Sequence, residues 1–437
     1  MEKIYLDYAA TTPVDPMVKK AMLPYFDEKF GNPGSLHSFG QEAIKAVDES
    51  REKIAKAIGA DFRKIIFTGS ATEANNLALR GVMKFFCGPR AVAFQNQNNF
   101  APATKFSFPS AAEPRLVKGV GTKLRLPAGC SSMQSALNQK ISLLRIIVSS
   151  IEHESILETC HDLEKDGIEI IYLPVDKSGF VDLKKLKESL NEWTILVSIM
   201  YANNEIGTIQ PIAEIAEIIG EFKKEKKNSS PYPLFHTDAV QAFQFLDCDV
   251  DKLGVDLMTL SAHKIYGSKG MGLLYAKNSK FLNPIITGGG QEFGFRSGTE
   301  NVPAIIGFAK AAELVNKNRE KETKRITKLS AYFWKKLKKM CPKTEINGAS
   351  IKRLPNILNI YFPSHRADDM LIKLDLNGIA VSSGSACSAR AMKPSYVLKA
   401  IGLTDQKIKS SLRFSFGKPT TKKEINETIK KLREIFF

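Results

Sequence analysis

The sequence predicts an α/β protein with a mainly parallel sheet, because short apolar runs alternate with stretches of helical period from Ile65 onward. The pairs are "KIIFT" with "ATEANNLALRG", "RIIVSS" with "ILETCHDLEKDG", "ILVSIM" with "IAEIAEIIGEF", and "PLFHTD" with "AVQAF". Helices are expected on both faces of such a sheet. Ligands of these sheets bind beyond the carboxyl ends of the strands, so functional residues are expected directly after the apolar runs.

A smaller α+β unit is predicted for the last third of the chain. A long amphipathic helix, "NKNREKETKRITKLSAYFWKKLKKM", leads into the strand-like runs "NILNIYF", "GIAVSS" and "SLRFSF". The final element opens with a capping box from Thr421 to Glu424. Its helical spacing places apolar side chains on one face. These are Ile425, Ile429, Leu432 and Phe436.

Composition is typical of a large cytoplasmic enzyme. The chain has 437 residues, 43% of them hydrophobic, enough for a large core and two or three domains. No run of about 18 apolar residues is present, and the first residues lack a signal-peptide pattern, so we expect neither a membrane span nor export. The six cysteines form no CxxC pair, which argues against a metal site and a disulfide framework.

Residues 86–140 follow neither the strand nor the helix pattern and are predicted to be a loop-like insertion. Residues 83–145 carry nine basic residues against Glu113 alone, so this region holds +8 of the net charge of +17. A basic stripe of this kind would suit nucleic acid. The remaining charge lies mostly in helical runs typical of solvated faces, so we do not expect direct nucleic-acid binding.

Two candidate catalytic residues follow strands. In "LSAHKIYGSKGMG", a buried Lys264 would form a Schiff base with an aldehyde cofactor, although such a lysine alone usually lies on the surface. In "FHTDAVQAF", the Asp238 carboxylate would face a pyridine nitrogen and keep it protonated or, alternatively, cap a helix. Gln241 lies three residues on. The glycines after Lys264 indicate a turn, since a strand follows where a dinucleotide fold needs a helix.

An anion site is predicted in "IIFTGSATEANN". A strand, a Gly-Ser turn and a helix start leave the amides of Ala71 and Thr72 free to bind a phosphate. The simpler alternative, a capping box from Ser70 to Glu73, is compatible with that function.

Four further polar residues follow apolar runs or lie within them. His153 in "VSSIEHESI" would stack on a flat ring or move protons, where a lone histidine is otherwise structural. In "YANNEIGT", Asn203 or Asn204 would bond a ring hydroxyl, although paired asparagines are common in turns. Arg413 in "SSLRFSFG" suits a substrate carboxylate or, alternatively, a surface position.

The segment "SSGSACSAR" places Cys387 among small polar residues. Free cysteines are usually buried, so this setting predicts an exposed thiol on a loop, about 382–392, suited to carrying a group between sites.

Taken together, the chain resembles the NifS/IscS-like cysteine desulfurases of the fold-type I, pyridoxal-phosphate-dependent (class V aminotransferase) family. The motifs that carry the resemblance span nearly the whole chain. They are "YLDYAATTP", "FGNPGSLH", "TGSATEANN", "EHESILETC", "NNEIG", "HTDAVQ", "SAHKIYGSKGMG", "GGGQEFGFRSGTEN" and "SSGSACS".

The resemblance implies a seven-stranded sheet in a large cofactor domain over 16–320, a small domain from 1–15 and 321–437, and a homodimer. It implies that Lys264 binds pyridoxal 5'-phosphate, Asp238 faces the pyridine nitrogen and Cys387 takes the sulfur of L-cysteine. His153 would stack on the ring and take part in catalysis. Asn204 and Gln241 would bind the ring hydroxyl, and Arg413 would bind the substrate carboxylate. The residues implied to hold the phosphate are Ala71, Thr72, Ser261, His263 and the partner's Thr299.

Three departures from the family pattern accompany the resemblance. Gly69 and Ser70 are exchanged in order, 86–140 is longer than the family segment, and the chain stops at Phe437 without an extended tail. The sulfur acceptor stays open between an iron–sulfur scaffold, a tRNA-thiolation protein and others. The alternatives are a selenocysteine lyase or other C–S lyase, and a non-catalytic, nucleic-acid-binding relative.

Overall fold

The computed structural model describes residues 3–87, 144–226, 231–384 and 394–436. Most of the predicted insertion 86–140, together with Cys387, lies outside these ranges. No helix among the described residues combines the length and apolar character needed to cross a membrane. Among the described cysteines, Cys87 is exposed, whereas Cys160, Cys248 and Cys341 are buried and have free thiols.

Seven short strands form the central sheet. They are β2 (Ile65–Thr68), β3 (Arg145–Ser149), β4 (Glu169–Leu173), β5 (Thr194–Ser198), β6 (Leu234–Asp238), β7 (Leu257–Ser261) and β8 (Gly272–Ala276). Their order is β2-β8-β7-β6-β5-β3-β4. The pairs from β4 to β7 are parallel, whereas β8 is antiparallel to both neighbours. The predicted mainly parallel, seven-stranded sheet is confirmed.

Alternate residues of each strand feed two cores on opposite faces of the sheet. On β8, Leu273 and Tyr275 belong to the larger core, whereas Leu274 and Ala276 belong to the other. This pattern follows from the two-residue period of a strand, and it requires apolar cover on both faces. The predicted helical cover on both faces is therefore confirmed.

Two helices of this part precede the central sheet along the chain, and the others alternate with its strands. They are α1 (Pro16–Met22), α2 (Ser38–Ala57), α3 (Ala71–Phe86), α4 (Glu154–Lys165), α5 (Leu183–Ser189), α6 (Ile212–Glu225) and α7 (Val250–Leu253). Single 3₁₀ turns cover Leu23–Tyr25, Phe62–Lys64, Ala262–Lys264, Ser279–Phe281 and Glu292–Gly294.

The predicted helix after β6 is wrong, because residues 240–245 form turns. The Asp238 side chain accepts the Val240 N–H at 3.0 Å. That bond would also suit a helix N-cap, but the backbone bonds that follow run only to the carbonyls of Ala239 and Ala242 and do not continue as a helical ladder.

The chain ends and the last third form the smaller part. Its helices and strands are α8 (Val302–Met340), α9 (Ala367–Leu376), α10 (Tyr396–Ala400), α11 (Asp405–Ile408), α12 (Lys422–Phe436), β1 (Ile4–Tyr5), β9 (Glu345–Ile346), β10 (Ile357–Tyr361), β11 (Ile379–Ala380) and β12 (Ser411–Ser415). The order β12-β10-β9 is antiparallel, and β1 pairs with β11 in parallel. The domain boundaries at 16–320 and 321–437 stay a prediction.

The capping box of α12 forms as predicted: the Glu424 N–H donates to Thr421 Oγ1 at 3.2 Å, and the Thr421 N–H donates to Glu424 Oε2 at 2.7 Å. On the predicted apolar face, Ile425 and Leu432 are fully buried.

Candidate active site

The carboxyl ends of the central strands surround a cavity of about 420 Å³. Because β2, β3, β5, β6 and β7 all run in one direction, their ends meet at one edge of the sheet. Ten of the predicted site residues line this cavity. They are Ala71, Thr72, His153, Asn204, Asp238, Gln241, Ser261, His263, Lys264 and Arg413.

The start of α3 forms one wall of the cavity. Ser70 caps the helix by accepting the Glu73 N–H on Oγ at 3.1 Å, and the first-turn amides of Ala71 and Thr72 have no carbonyl partner within the helix. Gly272 of β8 packs against this turn, where an added Cβ would lie 2.4 Å from the Ser70 carbonyl carbon. The predicted Ser70 cap is therefore present, and it leaves the amides of Ala71 and Thr72 available to an anion.

Lys264 ends the 3₁₀ turn that follows β7. Its Nζ donates to the carbonyl oxygens of Ala9 at 2.5 Å and Ala10 at 2.8 Å. The N-terminal segment of the chain therefore directs the amine at the cavity, a role that the strand-end analysis did not assign to it.

Ser261 and His263 flank the same turn. Ser261 ends β7, and His263 Nδ1 lies 3.1 Å from the hydroxyl of Thr11. Burial lowers the pKa of His263 to about 4, so its imidazole is neutral near pH 7.

His153 is the N-cap of α4, where its Nδ1 accepts the Ser155 N–H at 3.1 Å. Burial lowers the pKa of this imidazole, the Asp238 carboxylate opposes the shift, and the Lys264 ammonium adds to it. A neutral imidazole therefore faces a cavity that also contains an amine and a carboxylate.

Asn203 and Asn204 separate into different environments. Asn203 is buried and braces its own turn, accepting the N–H groups of Glu205 and Ile206 on Oδ1. Asn204 reaches the cavity, and its buried Oδ1 has no hydrogen-bond partner in the part of the chain that the structure describes. An orphaned acceptor of this kind calls for a donor from a bound group.

Gln241 and Arg413 complete the wall. Gln241 Nε2 donates to the Ala9 carbonyl at 2.9 Å. Arg413 is 1% exposed, with Nη2 at 2.7 Å from Asp7 Oδ1 and Nη1 at 2.9 Å from the Asn204 carbonyl oxygen. Its buried Nε has no partner among the described residues, so one donor of the guanidinium stays free for a ligand.

Two predicted site residues do not line this cavity. Thr299 is exposed and does not contribute to the cavity of its own chain. Cys387 lies outside the described residues.

The cavity fits pyridoxal phosphate. That cofactor needs an amine for its aldehyde, an acidic partner for its pyridine nitrogen and an anion site for its phosphate. Lys264, Asp238 and the start of α3 offer these three groups around a single space, and the orphaned Asn204 Oδ1 offers an acceptor for a ring hydroxyl. The fold and the site define a fold-type I pyridoxal-phosphate enzyme.

Comparison with known proteins gives the family. The chain matches the model of the class-V aminotransferases over residues 4–99 and 131–427, and it belongs to that family. It is 43% identical over 433 residues to a cysteine desulfurase, IscS, of Dictyoglomus turgidum, covering 99% of this chain and 94% of that protein. It is 40% identical to a putative cysteine desulfurase, IscS 1, of Bacillus subtilis, covering 100% and 99%.

Solved structures agree with this assignment. A NifS-like protein is 33% identical with a TM-score of 0.80, covering 99% of both chains. A NifS-like protein from Rickettsia africae is 32% identical with a TM-score of 0.77, covering 100% of this chain and 99% of that one. The resemblance inferred from the motifs is confirmed, and the family uses pyridoxal phosphate. The stretch that the family model leaves unmatched, 100–130, falls inside the predicted insertion.

Two groups of cavity residues do not directly follow strands of the central sheet and were therefore not predicted from the sequence. The carbonyls of Ala9 and Ala10 bind Lys264 from a segment that precedes the sheet. Asn75 lies in the second turn of α3 and lines the cavity. Asn75 belongs to the "TEANN" motif, but the sequence of that motif does not show which way a side chain in the middle of a helix points.

Proposed function

We propose that this protein is a cysteine desulfurase that converts L-cysteine to L-alanine and transfers the sulfur to Cys387. One observation carries the proposal: an amine, a carboxylate and a buried guanidinium with a free Nε meet in a single cavity. They belong to Lys264, Asp238 and Arg413. The relatives named as cysteine desulfurases support the choice of substrate.

The side chains divide the work around the substrate. Bound pyridoxal phosphate supplies an electron-poor ring that delocalises charge from the substrate α-carbon. Asp238 keeps the pyridine nitrogen protonated, and Lys264 removes the α-proton as general base. Arg413 binds the substrate carboxylate through its unpaired nitrogen, while Asp7 and the Asn204 carbonyl fix the guanidinium.

The cofactor is held on three sides. His153 would stack on the ring, and Asn204 and Gln241 would bind its hydroxyl. The amides of Ala71 and Thr72 at the start of α3 would hold the phosphate, with the help of Ser261 and His263.

Cys387 accepts the sulfur. Its thiolate attacks the substrate sulfur, a new S–S bond forms and the carbon–sulfur bond breaks. The electron pair of the broken bond stays with the substrate carbon, which takes up a proton to give alanine. The product on the protein is a persulfide.

A homodimer completes the site. Exposed apolar side chains between α1 and the first turn of α2 provide a contact surface: Phe26 is 62% exposed, Phe30 66%, Leu36 92% and Phe39 51%. Groups this apolar mark interaction surfaces. Thr299, exposed and outside its own cavity, would reach the phosphate of the other subunit.

The persulfide is delivered to a sulfur-acceptor protein, either an iron–sulfur scaffold or a tRNA-thiolation protein. A cytoplasmic location fits this function, since the buried free thiols of Cys160, Cys248 and Cys341 suit a reducing compartment.

Turnover tests the proposal. The purified protein, loaded with pyridoxal phosphate, is mixed with L-cysteine and a thiol reductant, and alanine and sulfide are measured. We expect equal amounts of both from the wild type and from the control Cys87→Ala, which removes an exposed thiol at the end of α3. Cys387→Ala should keep the yellow colour of the bound cofactor but lose turnover. Normal turnover by Cys387→Ala, or none by the wild type, would contradict the proposal.

A further inference from the structure

A buried amide lies at the base of the cavity, between two of the groups assigned above. Asn75 of α3 is fully buried. Its Nδ2 lies 2.8 Å from Asp238 Oδ2 and 2.8 Å from Ser155 Oγ. One side chain therefore bonds both the carboxylate and a hydroxyl next to His153.

The chemistry of the groups fixes the direction of these bonds. An amide nitrogen only donates, so Asp238 and the Ser155 hydroxyl both accept from Asn75. Because its oxygen is engaged as an acceptor, the Ser155 hydroxyl is free to donate its own proton to His153 Nδ1, 2.9 Å away. The Ser155 backbone N–H donates to the same nitrogen at 3.1 Å.

His153 is thereby restricted to one tautomer. A nitrogen that accepts two hydrogen bonds carries no proton, so the neutral imidazole has its proton on Nε2. No hydrogen bond to Nε2 occurs within the described ranges, which leaves that N–H available to a group in the cavity.

Asp238 is oriented by the same amide. Its Oδ1 accepts the Val240 N–H at 3.0 Å, and its Oδ2 accepts from Asn75. One donor on each oxygen fixes the rotation of the carboxylate. A rotated amide is excluded, because the Asn75 oxygen would then face the carboxylate oxygen without a proton between them.

We propose that Asn75 is a positioning residue that sets the tautomer of His153 and the orientation of Asp238 together. Because a single amide serves both groups, the ring-stacking imidazole and the partner of the pyridine nitrogen are organised as one unit. This inference rests on the proposed function for its catalytic consequence, but the hydrogen-bond chain itself belongs to the protein without cofactor.

The direct test is ¹⁵N NMR of protein labelled at histidine. The chain has six histidines, and a His153→Gln spectrum assigns the signal of interest. Spectra are recorded without cofactor at about pH 8, above the ordinary histidine pKa of about 6.5. The wild type should show the Nε2–H tautomer at His153.

Two variants interrupt the chain at different points. Asn75→Leu keeps the side-chain size and removes both donors. Because the Ser155 backbone N–H still donates to Nδ1, we expect a partial shift of His153 from the Nε2–H toward the Nδ1–H tautomer. Ser155→Ala removes only the hydroxyl, so it should change His153 in the same way while leaving the Asn75–Asp238 bond. If Asn75→Leu does not fold, the smaller Asn75→Ala replaces it, and Ser155→Ala tests the His153 branch separately.

The control is Asn76→Ala on the same helix. Asn76 bonds Thr72, Arg80 and Thr159 and does not line the cavity. The His153 spectrum of this variant should match that of the wild type. An unchanged His153 tautomer in Asn75→Leu, or in Ser155→Ala, would overturn the inference.

Kinetics provide the second measurement. Partners that orient functional groups at metal sites contribute roughly 10- to 100-fold, so kcat for Asn75→Leu should fall about 10-fold. KM for L-cysteine should stay close to the wild-type value, because Asn75 does not contact the substrate carboxylate. The visible absorption band of the bound cofactor should shift, since Asp238 is no longer oriented.

The two proposals fail separately. A wild type without desulfurase activity but with the expected tautomers refutes the function and leaves the hydrogen-bond chain intact. An active wild type whose kcat and absorption band are unchanged in Asn75→Leu refutes the positioning role alone.

Discussion

The buried ion pair between Arg51 of α2 and Glu292 links the helical cover to the "GGGQEFGFRSGTEN" loop. Arg51 Nη1 and Nη2 lie 2.7 and 2.9 Å from the two carboxylate oxygens, and both side chains are almost fully buried. The Glu292 carboxylate also accepts the Phe67 N–H at 2.8 Å. The Arg51 guanidinium lies over the rings of Phe67 and Phe293.

Glu292 and Phe293 both adopt positive φ angles, +50° and +57°. Non-glycine residues in this region cost roughly 1–3 kcal/mol each and persist where surrounding contacts impose them. The ion pair is the contact that stabilises this strained turn.

We predict that Arg51→Met destabilises the protein by about 3–5 kcal/mol. Hydrogen bonds to charged groups contribute roughly 1.5–3 kcal/mol each, and loss of one member of a buried pair leaves the other charge uncompensated, at about 3–5 kcal/mol. The double variant Arg51→Met/Glu292→Gln should be more stable than Arg51→Met. Its amide is uncharged, and its oxygen still accepts the Phe67 N–H.

Urea unfolding followed by circular dichroism measures both effects. The control is Lys252→Met, because the Lys252–Asp247 pair is well exposed, with side chains 71% and 56% accessible. Exposed pairs contribute at most about 1 kcal/mol. The reasoning is refuted if Arg51→Met costs no more than Lys252→Met, or if the double variant is the less stable of the two Arg51 variants.

Two further predictions concern the anion site and the sheet. Gly272→Ala should abolish retention of pyridoxal phosphate on dialysis, because the added Cβ would overlap the turn before α3. The control Gly220→Ala should retain the cofactor, because an added Cβ there meets open space. Equal retention by both variants would contradict the steric argument. Burial lowers the pKa of His236 in the folded protein to about 3. Between the ordinary histidine pKa and that value, His236 is therefore protonated in the unfolded chain but not in the folded protein. Its stability contribution is complete above about pH 6.5 and is lost as the pH falls toward 3, about 2 kcal/mol of it by pH 5. Relative to wild type, His236→Gln should flatten the pH dependence of the urea midpoint between about pH 6.5 and 4; parallel curves would refute this.

Strand ends made most of the cavity predictable from sequence. Apolar runs mark the strands, the strands run in one direction, and polar residues that follow them must meet at one edge. Lys264, Asp238, His153 and Asn204 were found in this way. The capping box at Thr421 was equally readable, since it depends only on local spacing.

Long-range contacts were beyond that reasoning. The carbonyl of Ala9 meets Lys264 across 255 residues, and Arg51 meets Glu292 across 241. Neither pairing leaves a local pattern. Asn75 was missed for a related reason, because its partners on α4 and β6 are set by packing of α3 against the sheet.

The turn after Asp238 shows why local period alone can mislead. Residues 240–245 have helical spacing of apolar residues, yet their backbone bonds run only to the carbonyls of Ala239 and Ala242, and successive turns form instead of a helix.

The fate of the substrate sulfur tests the account most directly. The holoenzyme is exposed briefly to L-cysteine, quenched without reductant and digested, and the cysteine-containing peptides are weighed by mass spectrometry. The peptide that contains Cys387 should gain the mass of one sulfur atom, while the peptide that contains Cys87 should not. Alanine formed without added sulfur on Cys387, or sulfur carried by a different cysteine, would contradict the account.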